Sequence, residues 1–239
     1  ISGLASAWLL SSRYRVTLIE KNSYIGGHTN TIDVPQANSN TLPVDTGFIV
    51  YNAPNYPNLV SLLDVLGIES RETTMSFGVS IDDGALEYAG SNLATLFAQK
   101  TNLLRPRFLR MTRDILRFNR AAKELLEHDA NQQTLGEFLQ QQGLGAGLRD
   151  DYLLPMAAAI WSCPRGQVAR FPAVSFLRFF ANHGLIRLND RPQWLTVEGG
   201  SNRYMQRLIA DLGPRARADQ PLVGVERSAT AATLVFADG

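Results

Sequence analysis

The sequence predicts an α/β protein in which a domain built on βαβ logic is interrupted along the chain by a mostly helical segment with a β-hairpin. Three observations lead there. A short helical stretch, a buried-strand run ending in an acid and a Gly-Gly loop follow one another between Leu4 and Gly27. The texture from Asn92 to about Gly184 is helical instead. Gly199-Gly200 then opens another helix, and strand-like runs return at Leu222 to Val225 and Leu234 to Phe236. This alternation fits one domain made of residues 1–75 and 195–239 around a second made of residues 76–194.

Each element has a local reason. Leu4, Ala5, Ala7, Trp8 and Leu9 fit a short helix to about Ser12, packed closely on a sheet. Arg15 to Glu20 is β-branched and apolar until its last residue, as expected of a buried parallel strand with a functional group at its carboxyl end. A strand is expected near Thr29 to Val34, a turn from Pro35 to Asn40, and then Val44 to Val50. Leu59, Leu62, Leu63 and Leu66 mark a helix from Tyr56 that Gly67 stops. Phe77 to Tyr88, turning at Asp82-Asp83-Gly84, reads as a hairpin.

The steps of four and three from Leu104 through Phe108, Met111, Ile115, Phe118 and Ala122 to Leu125 predict one long amphipathic helix begun near Pro106. Shorter helices follow at Thr134 to Gln142, with a capping box Thr134…Glu137, at Asp150 to about Trp161, and at Ala173 to Asn182. After Trp194 to Glu198, a helix is expected from about Ser201 to Leu212.

Bulk composition excludes several functions. The 239 residues carry 23 Lys plus Arg against 22 Asp plus Glu, so no global field draws in nucleic acid. One cysteine, Cys163, and three His residues cannot build a disulfide or a Cys/His zinc framework, and a cytoplasmic setting is expected. Every apolar run is broken well before about 18 residues, so no transmembrane helix is expected. The chain opens on Ile1-Ser2-Gly3 and ends in a strand-like run, which reads as a fragment lacking both ends.

The chemistry lies in the opening segment. A dinucleotide diphosphate needs a turn free of side chains and a helix N-terminus aimed at it, with an acid at the end of the next strand for ribose hydroxyls. Gly3 opens the helix, and Glu20 ends the strand close to the expected spacing of about 20 residues. Those two residues alone suit NAD as well as FAD. Beyond them, Gly26-Gly27 lets backbone approach further along a cofactor than NAD requires, which favours FAD.

The run Glu20-Lys21-Asn22-Ser23-Tyr24-Ile25-Gly26-Gly27-His28 resembles the extended motif of flavoproteins with two dinucleotide-binding domains. Asp45-Thr46-Gly47-Phe48-Ile49 resembles their segment that passes the ribityl and flavin rings, and Pro221-Leu222 resembles a Pro-Val pair whose second residue contacts adenine through its backbone. The organisation is similar to the amine oxidase and phytoene desaturase superfamily. Pro155 to Ser162, Phe179 to Gly184 and Arg191 to Ser201 resemble a bacterial group of amine-oxidase-like proteins associated with cyclopropane-fatty-acid synthases.

The resemblance implies a Rossmann-like FAD-binding domain interrupted by a substrate domain, with FAD held by Gly3, Glu20, Lys21, Gly26, Gly27, His28, Thr46, Gly47, Phe48, Ile49 and Leu222. It implies hydride transfer from a carbon of a small-molecule, hydrophobic substrate to the flavin. A non-catalytic FAD-bound scaffold for a lipid-modifying enzyme, an amine or polyene oxidase or desaturase, and an NAD-dependent dehydrogenase are the alternatives. The superfamily commonly has Arg where this chain has His28, and its late flavin-contacting segment is expected beyond this sequence. Catalytic residues are therefore not assigned. Tyr51, Asn52 and Trp161 are the pocket candidates, each with an ordinary turn or core reading beside it. Cys163 reads as core, and His183 before Gly184 as a helix C-cap. The cluster Arg105, Arg107, Arg110, Arg113, Arg117, Arg120 and Lys123 reads as a solvated helix face, or as an attraction for anionic lipid headgroups or an acyl carrier protein.

Overall fold

The computed structural model of the chain describes residues 1–37, 40–127, 132–161, 163–187 and 192–237. Ser162, Arg191, Asp238, Gly239 and the middle of the expected turn from Pro35 to Asn40 lie outside them. The chain forms two compact units, Ile1–Thr73 with Gln193–Gly239, and Thr74–Pro192.

The first unit begins with α1 (Ser2–Leu10) and β1 (Leu18–Ile19). The strand expected from Arg15 to Glu20 is thus shorter than its apolar run. A ladder extends only as far as its partner, and here Leu18 and Ile19 pair in parallel with Ala216 and Arg217 alone. The Glu20 N–H adds one further bond, to Arg217 O at 2.9 Å. β2 (Thr31–Pro35) and β3 (Thr41–Asp45) form an antiparallel hairpin with Thr31 opposite Asp45. α2 (Pro57–Leu66) starts on a proline, which has no N–H to waste, and stops where Gly67 turns left-handed at φ 65°. β4 (Ser70–Thr73) follows.

In the second unit, β5 (Gly78–Ile81) and β6 (Leu86–Ala89) make the expected hairpin, turned by Asp82 and Asp83 at φ 51° and by Gly84 at φ 88°. After α3 (Leu93–Leu96) comes α4 (Pro106–Glu127), the long helix that the four-three spacing predicts. It buries Phe108, Met111, Phe118 and Ala122. α5 (Leu135–Gln141) carries the capping box, Glu137 N–H donating to Thr134 Oγ1 at 3.3 Å and Thr134 N–H to Glu137 Oε2 at 2.8 Å.

The helix expected from Asp150 is instead a π-helical turn at Leu148–Leu153 followed by α6 (Leu154–Trp161). Pro155 has no N–H to give the Asp151 carbonyl, and the buried Tyr88 hydroxyl donates to that carbonyl in its place. α7 (Arg165–Val168) and α8 (Ala173–Asn182) complete the unit, His183 serving as C-cap. Its core centres on Phe118, Phe138, Phe176 and Phe180, with Phe118 edge-on to Phe138 and Phe180.

Back in the first unit, β7 (Trp194–Val197) pairs antiparallel with β4. α9 (Asn202–Leu212) leads to β8 (Ala216–Arg217), the partner of β1, and to a hairpin of β9 (Leu222–Arg227) and β10 (Ala232–Phe236). The core joins Leu4 and Ala7 of α1, Leu63 and Leu66 of α2, and Tyr204, Leu208 and Leu212 of α9. α9 is therefore the shared support of both other helices. Among the described residues no helix is long and apolar enough to cross a membrane.

Phe118 has no exposed surface, so Phe118→Ala should lower the unfolding free energy of the second unit by about 3–5 kcal/mol, read by chemical denaturation of the wild type and variant. A loss well below about 1 kcal/mol would place the ring outside a close-packed core.

Candidate functional site: the glycine loop and two helix starts

Two Gly-Gly pairs each lie beside the start of a helix in the first unit, and their surroundings differ. At α9 the start is filled by protein. The Ser201 N–H donates to both Asp45 oxygens, at 2.9 and 3.1 Å, and the hydroxyls of Ser201 and Thr31 donate to Asp45 Oδ1 at 2.7 and 2.6 Å. The Asn202 N–H donates to Thr31 Oγ1 at 2.9 Å. A carboxylate across the first N–H groups of a helix meets the positive end of its dipole, so this end is neutralised from within. Gly200, at φ 90°, is required there, since a Cβ would stand 2.6 Å from Thr31 Cγ2. Behind the network, Tyr204 is buried with its hydroxyl 3.4 Å from Thr29 Oγ1. Burial raises the Tyr204 pKa, the Thr29 bond lowers it, and the charge of Asp45 raises it.

α1 begins at the second residue of the sequence, and its first turn holds no acid. The Ile1 nitrogen donates to Gly26 O at 3.1 Å, so the glycine loop lies beside α1. Gly26 is packed: a Cβ there would collide with Met205 Sδ and with Thr29 O. Gly27 is the opposite. Its φ of 62° favours glycine, and nothing lies within 4 Å of where a Cβ would be, so bare backbone faces open space. Gly3 sits on the sheet side of α1, with its Cβ position 3.7 Å from Leu18 Cδ1.

The structure also brings the second motif segment to the first. The Thr46 N–H donates to Asn30 O at 2.9 Å and the Phe48 N–H to His28 O at 3.3 Å. Gly47 is glycine because a Cβ would strike His28 O. Phe48 turns inward, edge-on to Tyr56 with ring centroids 5.8 Å apart, while Ile49 is exposed and its carbonyl accepts from Thr196 Oγ1 at 2.9 Å. Burial raises the Tyr56 pKa. The His28 and Lys21 side chains are exposed.

Glu20 and Leu222 converge as well. Glu20 O accepts from the Gln220 N–H at 2.9 Å and Asn22 O from the Asp219 N–H at 3.0 Å, tying the strand-end acid to the segment just before Pro221-Leu222. Glu20 Oε1 accepts from the Asn22 N–H at 2.9 Å, and Oε2 takes no hydrogen bond from the described residues. A carboxylate held by one oxygen presents the other in a fixed direction, as a pair of ribose hydroxyls requires.

Of the three pocket candidates, Tyr51 and Asn52 lie in the first unit and Trp161 in the second. Tyr51 is buried in the first unit, where its hydroxyl donates to Ser70 Oγ at 2.7 Å along one wall of a cavity of about 630 Å³. Asn52 is fully buried and turns the chain into α2, its Oδ1 accepting from the Asn55 N–H at 3.1 Å. Trp161 belongs to the second unit, packed on Phe179, Phe176 and Phe171 at centroid distances of 4.7, 5.4 and 5.6 Å. Its core reading is the one the packing supports, and Cys163 lies against the same cluster. The His183 ring stacks on Phe179 at 3.9 Å. Among the described residues no group of three or more His, Cys, Asp or Glu is placed to hold a metal ion.

Sequence reading missed Asp45 as an anchor, along with Thr31 and Ser201. The residue types are those of caps, but the partners stand 156 positions apart along the chain, so no local spacing reveals them.

Over residues 1–239 the chain matches the model of the family described as flavin containing amine oxidoreductase. The chain belongs to that family. The cofactor is FAD, and the bare Gly27 and the half-used Glu20 carboxylate fit its ADP half. Among solved structures, a variant of putrescine oxidase redesigned in cofactor binding matches at TM-score 0.67 and 22% identity, over 99% of this chain and 52% of that one. Cyclohexylamine oxidase from Brevibacterium oxydans matches at 0.61 and 17%, over 98% and 52%. A fatty acid isomerase from P. acnes that produces CLA matches at 0.59 and 16%, over 99% and 53%. At these identities the likeness establishes the fold. The chain spans about half the length of each of these structures. A comparison with the sequences of curated proteins finds no match.

Asp45→Ala removes four hydrogen bonds to one carboxylate at a helix start. It should lower stability by about 1–3 kcal/mol in a denaturant titration, while Asp33→Ala, on the exposed face of β2, should cost under about 0.5 kcal/mol. Equal effects would remove Asp45 from its anchoring role.

Proposed function

We propose that the complete protein is an FAD-dependent oxidoreductase that takes a hydride from a carbon of an apolar small molecule. What carries this reading is the bare backbone of Gly27 together with the free oxygen of the strand-end acid Glu20. The Asp45 carboxylate fills the N-terminal end of α9, so an anionic diphosphate is repelled there. In this reading Gly27 lets backbone approach the diphosphate and Gly3 lets α1 pack closely on β1, with Gly26 setting the loop and His28 exposed beside it. Glu20 Oε2 accepts from ribose hydroxyls, and Leu222 meets the adenine through its main chain. Thr46, Gly47, Phe48 and Ile49 carry the chain on past the ribityl portion, with Lys21 near the ribose.

FAD, when bound, supplies the hydride acceptor. The protein's part is to bind, orient and exclude water. We assign no side chain as catalytic, and Trp161 and Tyr51 act through packing. The apolar substrate, an acyl chain or related lipid, is argued from the subgroup that the sequence resembles and from the fold's occurrence in a fatty acid isomerase. Amine oxidases share the same fold, so amines are the competing substrate class. The first unit is read as FAD-binding and the second as substrate-binding, in a cytoplasmic protein.

A visible spectrum of the complete purified protein, followed by anaerobic titration with acyl lipids, amines and polyenes, tests this directly. The reading predicts a yellow protein bleached by the acyl class. A colourless protein would overturn the cofactor assignment, and bleaching by amines alone would overturn the substrate.

Glu20→Ala and Gly27→Ala should each weaken FAD retention by about tenfold or more, measured by fluorescence of released flavin on dilution. The first loses a charged acceptor, and the second places a methyl group on a left-handed residue that faces the cofactor. Unchanged retention in both would move the ADP half away from α1.

A further inference from the structure

We infer that the exposed face of α4 is a docking surface for a bilayer bearing anionic headgroups, a role separate from flavin chemistry. α4 carries two stripes of the same period. The buried one, Phe108, Met111, Phe118 and Ala122, belongs to the core. The second runs Leu109, Arg113, Leu116, Arg120 and Lys123, again in steps of four and three, and all five residues are exposed. Leu109 and Leu116 keep 42% and 55% of their surface in solvent. Just before the helix, Leu103 and Leu104 are exposed at 52% and 86%.

Arg105, just before α4, and Arg107, Arg113, Arg117, Arg120 and Lys123 of α4 fall into two classes. Arg107 is bound bidentately to Asp151 at 2.6 and 2.9 Å, Arg117 to Asp114 at 2.9 Å and the Gln142 carbonyl at 2.9 Å, and Arg105 to main-chain and amide oxygens between Ala85 and Asn102. These three hold the unit together. Arg113, Arg120 and Lys123, on the leucine stripe, form no salt bridge among the described residues. Arg113, Arg120, Leu116, Leu144 and Glu124 are among the residues lining a groove of about 320 Å³.

The pattern selects the partner. Leu109 and Leu116 are seven residues apart, about 10 Å along the helix, with a cation between them. Such separated apolar points suit insertion at the boundary of headgroups and acyl chains, where Arg and Lys meet phosphate while leucine enters the apolar layer. An acidic protein or a nucleic acid would use the cations without needing four exposed leucines.

The test uses the complete flavin-loaded protein and sedimentation with vesicles of phosphatidylcholine alone or mixed in equal parts with phosphatidylglycerol. Binding is expected to the mixed vesicles only. Arg113→Gln with Arg120→Gln should weaken it about 25-fold, at about fivefold per cation, and Leu109→Ser with Leu116→Ser should weaken it several-fold at the same charge. Arg13→Gln with Arg15→Gln, two exposed cations of the other unit, should change it little. Superimposable circular dichroism melts establish that each variant is folded. No sedimentation with the mixed vesicles would overturn the proposal. So would equal losses in the Arg13/Arg15 control, an unaltered affinity in the leucine pair, or full displacement by inorganic phosphate at constant ionic strength, which would make the groove a free-anion site.

Discussion

The carboxylate of Asp45 is the fixed point of the first unit. It ends β3, faces Thr31 across the hairpin and takes both the N–H and the hydroxyl of Ser201 at the start of α9. Ion-to-N–H bonds of this kind are stronger than neutral ones, and several on one group make the position of the hairpin relative to α9 nearly unique. α9 in turn supplies Tyr204, Leu208 and Leu212 to the core on which α1 and α2 rest, and the indole of Trp8 on α1 reaches Asp211 Oδ2 at 2.9 Å. The glycine loop feels the same helix through Met205, which fills the place a Gly26 side chain would take. Thus one carboxylate positions α9, and α9 supports both α1 and the glycine loop that we propose for the diphosphate.

That arrangement bears on an ambiguity intrinsic to the sequence. Two Gly-Gly pairs each precede or adjoin a helix, and either helix end is in principle an anion site. Electrostatics disfavours the start of α9, which already holds the negative charge of Asp45. In the second unit the same physics serves stability. Glu137 closes the start of α5, and its pKa is lowered by the bonds from the Thr134 N–H and hydroxyl. Asp151 anchors Arg107 across the unit while its carbonyl takes the Tyr88 hydroxyl, so the π-helical turn costs no unsatisfied group at that position.

What was legible in the sequence is what depends on neighbours along the chain. The buried stripe of α4, the Thr134…Glu137 box, the Gly67 stop and the Asp82-Asp83-Gly84 hairpin turn are all set within one or two turns of chain, and the structure has each of them. β4 was not legible. Ser70, Arg71, Glu72 and Thr73 show no apolar alternation and become a strand only because β7 returns beside them. The length of β1 follows from how far β8 reaches and not from the apolar run that contains it. Likewise the glycines of the motif could be seen, but their separate roles could not: Gly26 and Gly47 yield space to Met205 and His28, whereas Gly27 leaves space open.

The most direct measurement is a crystal structure of the complete protein with FAD bound. The account predicts diphosphate oxygens within hydrogen-bond distance of N–H groups in the first turn of α1, Glu20 Oε2 on a ribose hydroxyl, and the Asp45 bonds to Ser201 and Thr31 intact. A diphosphate seated at the start of α9 with Asp45 displaced, or Glu20 turned away from the ribose, would contradict it.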